Sequence, residues 1–174
     1  MALGVFQELL KLNQDSQVMS KPGDMQNDLD DISREVLKKL TDNNPKLKAK
    51  AEQTFALMTS SMLYGVEHCS MALTKTKGKL SVKQLATRLL LLTKLIDQHG
   101  LSGNHSVPSG ALDFGVNSVG NPSDEVRKQA IIMLNAAYRK DKNKTENRVA
   151  GLRENVLEQV RGEAPIDQGR KPRR

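Results

Sequence analysis

Tryptophan is absent from this 174-residue chain, and with three Phe and two Tyr the aromatic fraction is only 3%. A sandwich or barrel leans on aromatic and β-branched side chains. Leu, Ala, Lys, Gln and Met stand here instead, the composition of packed amphipathic helices. Cysteine is nearly absent as well. The lone Cys69 excludes an intramolecular disulfide, and no His/Cys spacing resembles a zinc site, so nothing calls for an oxidising compartment and a cytoplasmic location is expected. No long apolar run is present. The start Met1-Ala2-Leu3-Gly4-Val5-Phe6 is broken by Glu8 and Lys11, lacks a basic flank and is too short to span a bilayer, so neither a signal peptide nor a membrane partner is expected.

Chemical motifs are missing too. There is no Gly-rich phosphate loop, no H-E-x-x-H and no G-x-S-x-G, and Cys69 falls mid-helix without a placed base. His68, His99 and His105 lack the further ligands a metal needs. These absences argue against an enzyme, a metal or a cofactor and leave binding as the expected activity.

What is present suffices for one domain: 37% hydrophobic residues can bury a core at this length without staples. The formal net charge is +7, which favours acidic partners. Four of the positive charges lie in the tail Arg170-Lys171-Pro172-Arg173-Arg174, so the folded part is less basic than the total suggests. The seven Met are spread over several segments and read as core filling.

Residues 2–13 read as a short helix with Phe6, Leu9, Leu10 and Leu12 on about one face. The stretch 13–27 contains Pro22-Gly23 and reads as a linker, so residues 1–27 form an N-terminal helix and linker. From Asp28, carboxylates crowd a first turn and Leu29, Ile32, Val36, Leu37 and Leu40 recur at helical spacing. That helix ends at Asp42-Asn43, and Asn44-Pro45 opens the next, which carries Leu47, Ala51, Phe55 and Met58 inward. A third helix over 63–75 places Val66, Cys69 or Ser70, and Leu73 on one stripe before the basic turn Lys75-Thr76-Lys77-Gly78-Lys79. Ser81-Val82-Lys83-Gln84 is a capping-box pattern, and the apolar face it opens (Val82, Leu85, Ala86, Leu89, Leu90, Leu92, Leu95, Ile96) ends at His99-Gly100. Helices follow over 108–119, weakened by Gly110 and Gly115, and from Ser123, its expected cap, through Tyr138. A last helix over 145–160 completes a repeat domain spanning 28–160, and 161–174 reads as a basic disordered tail.

Three of these helices open on one pattern: Leu47-Lys48-x-x-Ala51, Val82-Lys83-x-x-Ala86 and Val126-Arg127-x-x-Ala130. The separations, 35 and 44 residues, approach the roughly 40–47 of helix-pair solenoids. The aliphatic residue is expected in the core, the small Ala to admit a close neighbour, and the basic residue to pair with an Asp or a turn carbonyl. The fold expected is all-α, a HEAT-like helix-pair solenoid of about four repeats in which each pair covers the next.

The segments Leu37-x-x-Leu40-x-Asp42-Asn43-x-Pro45-x-Leu47-Lys48-x-x-Ala51 and Asn121-Pro122-Ser123-Asp124-Glu125-Val126-Arg127-x-x-Ala130 resemble the HEAT consensus. The run Asp124 to Val160, with Tyr138-Arg139 and Arg153-Glu154-Asn155-Val156-Leu157, resembles the last repeats of a TOG domain of the ciliary-tip and centrosomal microtubule-end type. That resemblance implies binding of the αβ-tubulin heterodimer or a microtubule end along the intra-repeat turns, in the cytoskeleton, at a cilium or flagellum tip or a centrosome, with other cytoskeletal or ciliary proteins as further partners. The residues it points to are Asn44, Lys46 and Lys48 in the first turn, Lys75, Lys77 and Lys79 in the second, and Ser123 and Arg127 in the third. A general helical-repeat scaffold for a peptide or adaptor protein is the rival reading. Nucleic acid is disfavoured because base-stacking aromatics are scarce.

Overall fold

A computed structural model describes Gly4, Gln7 and residues 22–61, 64–76 and 78–166. Among them every regular element is a helix: α1 (Pro22–Lys39), α2 (Pro45–Ser60), α3 (Gly65–Thr74), α4 (Val82–His99), α5 (Gly110–Val119), α6 (Asp124–Lys140), α7 (Lys142–Val149) and α8 (Glu154–Arg161). They follow one another as short helices joined by turns and loops, the HEAT-like all-α fold expected. The chain divides into two compact units, Met1–Ala72 and Leu73–Arg174.

In the first unit α1 begins at Pro22, six residues ahead of the expected start, so 22–27 is helix and not linker. Proline at the first helical position has no N–H to leave unsatisfied and arrives with a helical φ, so Pro22-Gly23 starts the helix instead of breaking a loop. Leu29, Ser33, Val36, Leu37 and Leu40 are buried, and α1 packs on α2. The inward face of α2 is Ala51, Thr54, Phe55 and Met58. Leu47, expected there too, is 37% exposed, because the whole first turn of α2 stands in solvent and packing begins only at Ala51. Of the expected helix over 2–13 only Gly4 and Gln7 are described; the rest lies outside the described residues. Gln7 Nε2 donates to Thr54 Oγ1 at 2.8 Å and to the Lys50 carbonyl at 3.2 Å.

In α3 the expected stripe is buried: Val66, Cys69, Ser70 and Leu73. His68 stands edge-on to Tyr64, with ring centroids 5.3 Å apart, and its Nε2 lies 3.7 Å from Asp30 Oδ1.

The second unit is organised around α6, which packs on α4, α5, α7 and α8. It buries Val126, Ala130, Ile131, Met133, Leu134, Ala136 and Ala137. Each fully buried large aliphatic side chain stabilises by roughly 1.5–3 kcal/mol, while the alanines let neighbours approach closely. α4 opens on the expected capping box: Ser81 Oγ accepts the Gln84 N–H at 3.2 Å and Gln84 Oε1 accepts the Ser81 N–H at 2.9 Å. It ends at Gly100, whose φ of +69° suits glycine. The apolar face of α4 is narrower than expected, because Leu89, Leu92, Leu95 and Ile96 are buried while Val82 and Leu90 are each 43% exposed.

The last expected helix is two helices. Asp141 closes α6 with extended backbone (φ −150°, ψ 92°) and caps α7 in the same step by accepting the Lys144 N–H at 3.0 Å. Ala150-Gly151-Leu152-Arg153 then turns the chain into α8. Gly151, the weakest helix former in the run, allows the break, and folding back lets α8 bury Leu157 and Val160 and pack on α6. The expected disorder from 161 is also corrected in part. Arg161 is helical, Gly162 is left-handed, and the N–H groups of Glu163 and Ala164 both bond the Glu158 carbonyl. Residues 167–174 lie outside the described residues.

Gly115, expected only to weaken α5, is where α5 meets α6: a Cβ there would strike Met133 Cε and lie 3.1 Å from Leu134 Cδ2. Gly115→Ala is expected to be close to neutral, since a gain in helix propensity of about 1 kcal/mol offsets displacing a flexible Met tip. Gly115→Val should destabilise by about 2 kcal/mol through overpacking. Urea unfolding of both variants checks the contrast, and equal stability for the two would refute the close-packing role.

Candidate functional site

The turns inside the helix pairs are held by side chains that bond their backbone. In the first, Asp42 Oδ1 accepts the Asn44 N–H at 2.9 Å, and Asn44 Oδ1 accepts the N–H groups of Lys46 and Leu47 at 3.0 and 3.4 Å. Asn44 is therefore engaged as a helix cap. The Asn44 N–H, and to a lesser degree Lys39, hold the Asp42 carboxyl below its usual range. Lys46 and Lys48 are exposed, and Lys48 lies 3.9 Å from Glu52 in a solvated pair of the kind worth little.

The second turn carries Lys75 and Lys79, both exposed, around Gly78, whose φ is +91°. Lys77 lies outside the described residues. The basic side chain that fastens this turn is Arg88, nearly two helical turns into α4, whose Nη1 donates to the carbonyls of Leu73 and Lys75 at 2.9 and 3.0 Å. Burial lowers the Arg88 pKa, but a guanidinium remains charged at neutral pH.

In the third turn Asn121 Oδ1 accepts the Ser123 N–H at 3.0 Å. Arg127 folds back, its Nη1 donating to the carbonyls of Asn121 at 2.7 Å and Pro122 at 2.9 Å while its other nitrogen pairs with Asp124. Ser123 holds the N-cap position, but its hydroxyl makes no capping bond, so the expected cap is positional only. Arg127 has the Asp-and-carbonyl role expected of the repeat's basic residue. A fourth turn, 150–153, lies within the span expected to be continuous helix. Near it Arg148 pairs with Asp113 at 2.9 Å, and Arg161 pairs with Glu146 and Glu154.

The second and third turns border one open cleft of about 450 Å³, walled by Thr74 and Thr76 on one side and Asn117 and Asn121 on the other, over Leu85 and Phe114. Arg88, Asp113 and Asn117 are the residues sequence reasoning missed. Only Arg88 carried a signal, as the one Arg in the helix following the basic turn. Cys69 is buried, and desolvation pushes its thiol up to about 12, so it is protonated at neutral pH. Among the described residues no group of three or more His, Cys, Asp or Glu could hold a metal, and no helix is long and apolar enough to cross a membrane.

Paired helices with side-chain-fastened turns define a HEAT-like array. No family model matches the sequence, and no curated protein matches it. One solved chain, described as "TOG-tubulin binding specificity promotes microtubule dynamics and mitotic spindle formation", is similar in fold with a TM-score of 0.73 at 15% identity. The likeness covers 93% of this chain and 58% of that one. The fold is thus TOG-like, and the chain spans little more than half the length of the structure it matches.

Arg88→Met keeps the stem's packing and removes the donor from two carbonyls, that of Leu73 part-buried, so it is expected to cost about 1–2 kcal/mol. Arg127→Met, at a side chain 39% exposed, should cost about 1 kcal/mol or less once solvent screening is counted. Thermal unfolding tests the order, which equal losses would contradict. Acid pH tests the caps. The Lys144 N–H, with Ser102, lowers the Asp141 pKa, so both Asp42 and Asp141 contribute stability that is present above the unfolded carboxyl pKa of about 3.9 and is lost as pH falls through the depressed folded value. Asp141→Asn keeps a capping acceptor without the titration, and melting temperatures from pH 6 to 3 should fall less steeply in that variant than in the parent.

Proposed function

We propose that this chain is a tubulin-binding HEAT-repeat module, not an enzyme, and that it engages the αβ-tubulin heterodimer or a microtubule end through its intra-repeat turns. The observation that carries the reading is the TOG-like fold, matched over 93% of the chain. The turns add suitable chemistry. Lys46 and Lys79 are exposed, and the turns that carry them are fastened in part by Asp42, Asn44 and Arg88, which lessens the chain that docking must order. Exposed cations of this kind contribute to encounter rate and orientation against an acidic surface. In this reading Asn44 shapes the first turn and Arg127 the third, and Lys46, Lys48, Lys75, Lys77 and Lys79 are the residues that would contact the partner. The module would act in the cytoskeleton, at microtubule ends, with the ciliary axoneme tip or the centrosome as its setting.

Size-exclusion chromatography of the chain with αβ-tubulin in low and moderate salt tests this. Co-elution is expected at tens of micromolar, about 6 kcal/mol of binding. A Lys46→Glu/Lys79→Glu variant with an unchanged melting temperature should bind at least tenfold more weakly. Absence of any complex from the wild type would sink the proposal.

A further inference from the structure

The cleft between the second and third turns has a chemistry of its own. Its volume, about 450 Å³, is that of an ordinary ligand site. Among the described residues the Asn117 amide and the Thr76 hydroxyl make no hydrogen bond, and Asn121 spends its Oδ1 on Ser123 while its amide N–H groups make none. An amide side chain donates and accepts at once, which matches the alternating N–H and C=O of an extended main chain. Leu85 and half-buried Phe114 offer an apolar floor. The one carboxylate in the lining, Asp113, is paired with Arg148 at 2.9 Å. Both walls are pre-set, because Arg88 holds the carbonyls on one side and Arg127 those on the other. Lys75 and Lys79 stand exposed on the turn that contributes Thr76.

We propose that this cleft binds an extended acidic peptide segment of the partner protein, its main chain on Asn117, Asn121 and Thr76 and its carboxylates toward Lys75 and Lys79. The inference rests on the turn edge being the binding edge and adds a second kind of contact to it. A nucleic acid fits less well, because half-buried Phe114 is the one aromatic side chain in the lining and offers no platform for successive bases.

The test is fluorescence anisotropy with a short labelled peptide alternating Glu and Gly, a Gln/Gly peptide of equal length, and an oligouridylate. The Glu/Gly peptide is expected to bind at least tenfold more tightly than the Gln/Gly peptide. Asn117→Ala/Thr76→Ala should weaken it at least fivefold with the melting temperature unchanged, and Lys75→Glu/Lys79→Glu should abolish it. Full affinity in the Asn117→Ala/Thr76→Ala variant would overturn the cleft assignment, as would oligouridylate binding as tightly as the peptide. Tubulin co-elution by a wild type that ignores the peptide overturns the cleft alone and leaves the edge reading standing. Failure of both overturns both.

Discussion

Burial of α6 is the constraint on which the second unit depends. Seven of its side chains are withdrawn from water, and four other helices, α4, α5, α7 and α8, pack on it. A helix of 17 residues could not hold so many apolar and small residues in water by propensity alone. Its alternation of bulk and smallness decides what the neighbours must be. Met133 and Leu134 leave little room beside α5 at Gly115. Asn135, at the edge of the same face, donates to the Val160 carbonyl at 2.9 Å and so closes the end of α8. Chain connectivity goes with packing: the break at Gly151 separates α7 from α8, and each packs on α6.

The turns follow a second rule. Each pair of helices exposes backbone where it reverses, and unsatisfied carbonyls or N–H groups there cost free energy. The chain meets that cost with side chains placed shortly before or after the reversal: Asp42 and Asn44, Arg88, Asn121 and Arg127, and Asp141 for the junction of α6 with α7. The result is a set of stiff loops on which exposed lysines are carried. For the partner proposed above, loss of freedom on binding would fall mainly on those side chains.

Much of this was readable from residues in order. The Ser81/Gln84 capping box, the Gly100 stop, the Asn44-Pro45 start and the buried stripe of α3 are local devices whose physics needs only a few neighbours. The repeat pattern at Val126-Arg127-x-x-Ala130 also kept its meaning, with Val126 and Ala130 fully buried and Arg127 on its turn. The same pattern misled at Leu47 and Val82. There the first helical turn runs past the packed layer, and at the second turn Arg88 bonds the turn carbonyls.

By itself the sequence determined an all-helical chain of paired amphipathic segments, where most helices start and stop, and which turns are basic, because caps, glycines and apolar periodicity act over one or two helical turns. Only the tertiary structure decided that 145–160 is two helices, that Gly115 is a contact and not a weakness, that Arg88 and Arg127 face their own backbone, and that Asn117 and Asn121 share a cleft with Thr76. Each of these depends on groups far apart in sequence competing for the same space or the same carbonyl, and that competition is settled when the helices pack.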